Sequence, residues 1–550
     1  MKNSLVLIPL AVCAVLLALT SYRGVDPDEW EHLHAACCVA RGELPYRDFF
    51  EHHGPALYYL LSPIFGVVGP ELPALTWSRT LMWLFSVGTL VLVGRLTHRV
   101  AGPTAAMVAP ALLCVTTVFF WKSIEIRPDV PAMFLITAAA GLLVRVAEGK
   151  RRAAAVFAAG VSLGLAMLLT QKALVVAAAM AVAWAVRRKP ERSRRSTAVE
   201  LAFMVFGALL PWLVAFGLFG LAGGAAAFFE GVVGRLWHWP VRESPWTALR
   251  PTLAADLPLW FGAAAAVAAT IGGRFTNGPS TSGRLVETPS SASSGREFLA
   301  MTVLFCVLGG LAAQAAYVQY YLLWFPLASA LAGDQLVRWA GGPFDRKAER
   351  MILATVAALI LVETALAVHA FRVGQGGALP HWFARAGGAG FQISIVVMLV
   401  LAIAAVVCCR RDCRAAAVFC AVALGFGYAG LRDADAVCWS NHRQRAAVAL
   451  VNRLVPPDET VFDGFTGFGV FRRHAYYYWW LNRYSLAMMT PDQRDRQLLT
   501  CLENDPPRVV CLDENVLALP APVLRWIAEN YDPATPPIYL RKTTKRPSSD

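Results

Sequence analysis

Residues Val25–Leu61 read VDPDEWEHLHAACCVARGELPYRDFFEHHGPALYYLL, a polar stretch that directly follows an apolar run at Leu5–Thr20. Four carboxylates and two histidines (Asp26, Asp28, Glu29, Glu31, His32, His34) fall within nine positions of its start. A second cluster, Tyr46-Arg47-Asp48-Phe49-Phe50-Glu51-His52-His53-Gly54-Pro55, closes it. Acidic groups beside a membrane are repelled by anionic headgroups and gain nothing from the bias that draws Lys and Arg to cytoplasmic loops. Either this is a solvated loop, or its carboxylates sit in a cavity where one accepts a proton from a hydroxyl.

Outward from this stretch the chain is apolar. Of 550 residues 57% are hydrophobic and 16% are charged, with a mean hydropathy of +0.50. A soluble domain carries roughly 25% charged residues. The apolar runs are of the length that crosses a hydrocarbon core of ~30 Å. They lie at 5–20, 73–94, 103–121, 131–147, 153–170, 173–186, 198–221, 257–272, 298–317, 322–338, 351–371, 391–408 and 414–431, about thirteen spans. Leu5–Thr20 has no small-x-small cleavage site after it and is read as an uncleaved first span. Residues 56–72, broken by Pro63, Gly66, Gly69 and Pro70, read as an interfacial piece.

The net charge of +13 sits in alternate loops, at Arg95/Arg99, Lys150–Arg152, Arg187–Arg195, Arg346–Arg350 and Arg410–Arg414. That pattern places the amino terminus in the cytoplasm and the carboxy terminus outside. It is not the single basic face that nucleic acid requires, so no nucleic-acid partner is expected. The twelve cysteines show neither metal spacing nor a disulfide framework and read as small buried hydrophobes.

Three polar regions remain: the first outer loop at 21–72, a Ser/Thr/Gly-rich cytoplasmic connector at 274–297 expected to be disordered, and the tail from 432. In the tail, Glu459–Asp463 and Arg508–Asp513 each follow a Pro-Pro turn and read as short buried strands. Amphipathic helical patterns at 492–504 and 521–531 alternate with them. The expected architecture is a mainly α, polytopic membrane domain over 1–431 and a small extracytoplasmic α/β domain over 432–550.

The chemistry-bearing residues are few. Asp28 or Glu29 is the candidate proton acceptor. His53, with Glu51 or Asp28, is the candidate for a divalent metal, although neighbouring His52 and His53 would face apart on a helix. Asp26 and His53 are also candidates for holding an acceptor. Outer-side cations are scarce. Lys172, in a short turn, either snorkels to headgroups or grips a phosphate. Arg127 lies beside Asp129 at a membrane boundary and is expected to pair with it or with phosphate. Arg235, His238 and Arg242 share GRLWHWPVRESPW with three tryptophans, an arrangement that suits a sugar phosphate and is equally that of interface anchors.

The acidic pair after the first span, in DPDEWEHLHAACCVARGELPYRDFFEHHGP, resembles the first outer loop of the GT-C glycosyltransferases, in the branch of the protein O-mannosyltransferases and the bacterial lipid A aminoarabinose transferase. IRPD at Ile126–Asp129, QYYLLWFP at Gln319–Pro326 and FDGFTGFGVFRRHAYYYWWLN at Phe462–Asn482 resemble further segments of such proteins. The resemblance implies a GT-C fold and transfer of a sugar from a polyprenyl phosphate to a glycan, lipid or protein hydroxyl. It assigns Asp28 as base with Glu29 orienting the acceptor or holding Asp28. Lys172, Arg127 and Arg242 are the candidates for the donor phosphate, with Asp129 a second acidic site. No cofactor is required beyond the candidate metal. Two readings of other classes stand beside it, a transporter and a non-catalytic scaffold. Transporters place charges and broken helices at mid-membrane in repeated halves. Here the spans are nearly free of acidic residues, Glu363 being one exception, and no repeated halves are visible.

Overall fold

A computed structural model describes residues 4–146, 152–187, 194–235, 244–276, 291–312, 317–340 and 439–542. The expected spans at 351–371, 391–408 and 414–431 lie outside the described residues. The ten others fall on helices, among them Leu7–Tyr22, Arg152–Leu169, Ala173–Val186 and Phe325–Trp339. Among the described residues four helices are long and apolar enough to cross a membrane by length and composition: Pro73–Ala101, Asp129–Val146, Arg195–Leu221 and Ser294–Ala312. Several shorter apolar helices have 10–17 residues.

Two details depart from the sequence reading. The run at 103–121 is two helices, Pro103–Cys114 and Thr117–Lys122. The break is stitched by Thr116, whose hydroxyl donates to the Leu113 carbonyl at 2.8 Å and accepts from the Phe119 amide. The buried Asp256 carboxylate accepts from the Thr117 amide at 2.7 Å, satisfying an otherwise orphaned donor. The second departure is at 291–297, where the helix Ser291–Ala312 begins inside the stretch expected to be disordered.

The chain forms two compact units. The first takes Met1–Arg23, Thr80–Leu213 and Glu243–Ser440; the second takes Gly24–Arg79, Val214–Arg242 and Asn441–Asp550. The first outer loop thus belongs with the tail, not with the bulk of the spans. In the first unit, helices Arg152–Leu169 and Arg194–Leu221 cross at backbone contact. A Cβ on Gly160 would meet the Met204 carbonyl oxygen at 2.2 Å, and one on Gly207 the Phe157 oxygen at 2.3 Å. Small residues at such crossings let apolar helices pack where lipid offers no hydrophobic drive.

The second unit is built around helix Pro27–Ala40 and a five-stranded sheet. The strands are β1 (Thr460–Asp463), β2 (Arg473–His474), β3 (Val509–Cys511), β4 (Tyr531–Thr535) and β5 (Ile538–Arg541), in the order β2-β1-β3-β5-β4. β1 is parallel to β2 and β3, and β5 is antiparallel to β3 and β4. Val461, Val509, Cys511 and Ile538 bury one side of the sheet against Val451 and Val455 of helix His442–Leu454 and the residue after it. Buried Arg472 donates to the Val455 and Asn452 carbonyls, both at 2.7 Å, capping that helix.

After β1 the chain turns through Asp463–Gly469. The Asp463 carboxylate accepts from the Thr466 amide at 3.1 Å, the Thr466 hydroxyl at 2.8 Å and the Gly469 amide at 3.1 Å. Burial pushes this carboxyl up to about 6 despite those bonds. Within the turn, Gly467 has φ +73°, and a Cβ there would lie 2.3 Å from the Trp30 ring. Gly42 has φ +87° with nothing within 4 Å. Gly42→Ala should therefore cost only the left-handed penalty of ~1–2 kcal/mol, and Gly467→Ala distinctly more, measured as thermal unfolding in detergent. Equal costs would mean that Trp30 moves aside freely.

Candidate active site

Helix Pro27–Ala40 begins with a capping box. Asp26 Oδ1 accepts from the Asp28 amide at 3.1 Å, and Glu29 Oε1 accepts from the Asp26 amide at 3.0 Å. Glu29 is also gripped by Arg79, which donates Nε to Oε2 at 2.8 Å and Nη2 to Oε1 at 2.6 Å, and donates again to the Gly24 carbonyl at 2.8 Å. Both side chains are fully buried. Asp28, on the same first turn, is half-buried. Glu31 and His32 follow it by three and four residues, so all three share one side of the helix.

The closing cluster meets that side. Glu51 is fully buried; its Oε1 accepts from the His52 amide at 2.7 Å and the His53 amide at 3.0 Å. His53 Nδ1 lies 3.2 Å from the same oxygen. His52 Nδ1 lies 3.5 Å from both Glu51 Oε1 and Glu31 Oε1. Burial alone would raise the Glu51 carboxyl, but the hydrogen bond from His53 and the neighbouring imidazoles His53, His52 and His32 hold it well below the usual carboxylate range. Glu31, Glu51, His52 and His53 each bring one donor atom within 4.8 Å of the others. The sequence reading set His52 and His53 apart because helical neighbours face different ways. The segment is not helical, and the two rings lie 3.9 Å apart.

Backbone contacts fix this segment. Trp479 Nε1 donates to the Phe50 carbonyl at 3.0 Å, the Phe50 amide donates to the Tyr477 carbonyl at 3.0 Å, and Arg235 donates to the Glu51 carbonyl at 2.6 Å. Tyr46, at φ +69°, is held by the Tyr477 hydroxyl on its carbonyl at 2.8 Å, and its own hydroxyl donates to the His53 carbonyl. His34, by contrast, is a packing residue. Burial first, then the charge of Arg41, push it down to about 3, and its ring lies 4.1 Å from that of Trp479.

The first unit holds a cationic cluster. Glu125 is buried and collects Arg23 at 2.9 Å, Lys122 at 2.9 Å and Arg127. Asp129, buried at the start of its helix, is met by Lys172 Nζ at 3.2 Å, and the same ammonium lies 4.7 Å from the Tyr320 ring centroid. Arg127 therefore pairs with Glu125 rather than with Asp129, because Lys172 occupies the Asp129 side chain. Four cations thus gather on these two carboxylates.

Asp26, Asp28, Glu29 and His53 lie in the second unit, and Arg127, Asp129 and Lys172 in the first. Arg242 and His238 lie outside the described residues. The sequence reading passed over Arg79, Glu125, Lys122 and Arg23. Arg79 carried a usable signal, a charge inside an apolar span; Glu125 carried one as a carboxylate flanked by Lys122 and Arg127.

Residues 52–215 match the family described as dolichyl-phosphate-mannose-protein mannosyltransferase. In fold the chain is similar to ArnT from Cupriavidus metallidurans bound to undecaprenyl phosphate, with a TM-score of 0.57, 15% identity and 93% of each chain covered. The apo state of the same protein gives a TM-score of 0.56 with 15% identity and 92% of each chain covered. Comparison by sequence with curated proteins found no match. The chain is a multi-pass membrane protein with the ArnT-like GT-C fold and a small sheet-containing region near its carboxy terminus.

Removing either member of the Glu29–Arg79 pair strands a buried charge. Glu29→Ala and Arg79→Ala should each cost about 3–5 kcal/mol of stability, while the double variant should cost clearly less than the sum. Chemical unfolding of the detergent-solubilised protein measures this. Single-variant losses under ~1 kcal/mol, the worth of an exposed pair, would deny the anchoring role.

Proposed function

We propose that this chain is a glycosyltransferase that moves a sugar from a polyprenyl-phosphate donor to an acceptor hydroxyl. It works at the outer face of a bacterial cytoplasmic membrane, with its amino terminus inside and its carboxy-terminal region outside. One observation carries the reading. The segment that matches the mannosyltransferase family, 52–215, holds Lys122, Arg127 and Lys172 gathered on Glu125 and Asp129. Cations gathered in one place complement the phosphate of a lipid-linked sugar. The ArnT structure bound to undecaprenyl phosphate supports a lipid phosphate as the donor's carrier.

The step needs little else. The acceptor oxygen attacks the anomeric carbon, the bond from that carbon to the phosphate oxygen breaks, and the electron pair leaves with the phosphate. The acceptor's proton passes to the Asp28 carboxylate and then to water. Because phosphate leaves as a stable anion, its stabilisation by Lys172 and the Glu125-held cations replaces a general acid. Glu29, with both oxygens engaged by Arg79 and the Asp26 amide, is a positioning residue that fixes the helix turn carrying Asp28.

Asp28→Asn should lose 10²–10⁴-fold in turnover, the usual loss of a general base, with donor binding intact. Lys172→Ala should weaken donor binding by about 1.5–3 kcal/mol, the worth of a hydrogen bond to a charged group, and Lys172→Arg should restore part of it. Release of lipid phosphate from a panel of polyprenyl-phosphate sugars reads both variants. Full activity in Asp28→Asn would move the base elsewhere. Orientation is checked by a reporter active only in the periplasm, which should work when fused after Asp550 and fail within 277–290.

A further inference from the structure

We infer that Glu31, Glu51, His52 and His53 form a divalent transition-metal site, with zinc the best-matched ion, that clamps the segment closing the first outer loop onto helix Pro27–Ala40. Three observations converge on it. First, the donor types are right: two imidazoles and two carboxylates suit a borderline cation such as Zn²⁺. Second, the spacing fits. With zinc–ligand bonds of about 2.0–2.2 Å, the edges of a tetrahedral ligand shell are about 3.3–3.6 Å. The observed separations are 3.2 Å for His53 Nδ1 to Glu51 Oε1 and 3.5 Å for His52 Nδ1 to both Glu51 Oε1 and Glu31 Oε1, and the four ligand atoms all lie within 4.8 Å of one another. The three closest pairs thus match the edges of such a shell.

Third, Glu51 has an atom to spare. Its Oε2 is fully buried with the Tyr58 hydroxyl beside it, and takes neither of the amide hydrogen bonds that Oε1 accepts. A buried carboxylate oxygen so sparsely matched is costly, and a cation lowers that cost. The two amides on Oε1 hold the carboxylate in one orientation, as outer-shell contacts do for metal ligands. His32, buried with its ring centroid 4.8 Å from that of His53, walls one side.

A site with four protein ligands is of the closed, structural kind. Its ligands come from the helix and from the segment after Phe50, so the ion would hold those two pieces together one turn from Asp28. The existence of this site is independent of the transferase reading; its contribution to turnover rests on it.

The test uses the purified full chain in detergent micelles, with elemental analysis and thermal unfolding as readouts. The chain should retain about one zinc through gel filtration. Chelation should lower Tm, and added zinc sulfate should restore it. The double variant His52→Asn/His53→Asn should lose both the bound zinc and the Tm response, whereas Asp28→Asn should keep both. If the double variant fails to fold, Glu31→Gln, which preserves shape, replaces it and should lose the zinc. Equal zinc content in parent and folded variant would mark the ion as adventitious and overturn the site. So would a parent whose Tm ignores both chelator and zinc. Full activity in Asp28→Asn with zinc retained would sink the assigned base and leave the metal site standing.

Discussion

Glu29 is bound simultaneously by the Asp26 amide and by two nitrogens of Arg79, with no exposure to water. The arrangement is costly to assemble because both ions lose their hydration, and it is stable only when every donor and acceptor is matched. The third contact of Arg79, to the Gly24 carbonyl, completes the match and ties the residues before the helix to those after it. The register of helix Pro27–Ala40 follows from this lock. With Glu29 fixed inward, Asp28 is held on the neighbouring side and Glu31 and His32 one turn further along. The positions of Asp28, Glu31 and His32 along the helix thus follow from one ion pair.

Charge is partitioned between the two units. The second concentrates carboxylates and imidazoles around Glu51; the first concentrates cations around Glu125 and Asp129. In the first, Arg23 and Arg127 are buried with the carboxylates, while the two lysines keep some exposure, Lys172 16% of its side chain against 1% for Asp129. A buried carboxylate that gathers several cations preorganises them, since they need not be ordered when an anion arrives. That division of roles between holder and contact is the same one that Glu29 plays for Asp28.

Much of this was legible in the chain. Apolar run length located the helices among the described residues, because crossing a bilayer constrains length and composition more tightly than packing in water does. The strands at Thr460–Asp463 and Val509–Cys511 were readable from Pro-Pro turns before short buried runs. The partners within the sites were not. Arg79 lies 50 positions from Glu29, and its place inside an apolar span marks it as paired without naming the partner. The inference that His52 and His53 must diverge failed because it assumed a helix where tertiary contacts impose an irregular backbone. Arg127 was expected to pair with Asp129 or with phosphate; its guanidinium lies on Glu125, and Lys172, 43 residues from Asp129, takes that carboxylate.

The acidic loop and the polar tail are one structural unit. A division at 431/432 separates spans from tail by polarity, but the segment bearing Glu51, His52 and His53 has little structure of its own. Its backbone is held by Tyr477 and Trp479 of the tail and by Arg235, and Tyr46 is kept at positive φ by contacts on both its carbonyl and its hydroxyl. A non-glycine residue keeps that conformation only where its surroundings over-determine it. Val25, just before the acidic helix, is bound through both its amide and its carbonyl by Gln444. The acidic loop is therefore shaped by residues more than 400 positions downstream, and the tail is part of the site's framework. Substitutions in the tail that leave its own sheet intact can still displace the histidines, because the atoms that hold them are tail atoms.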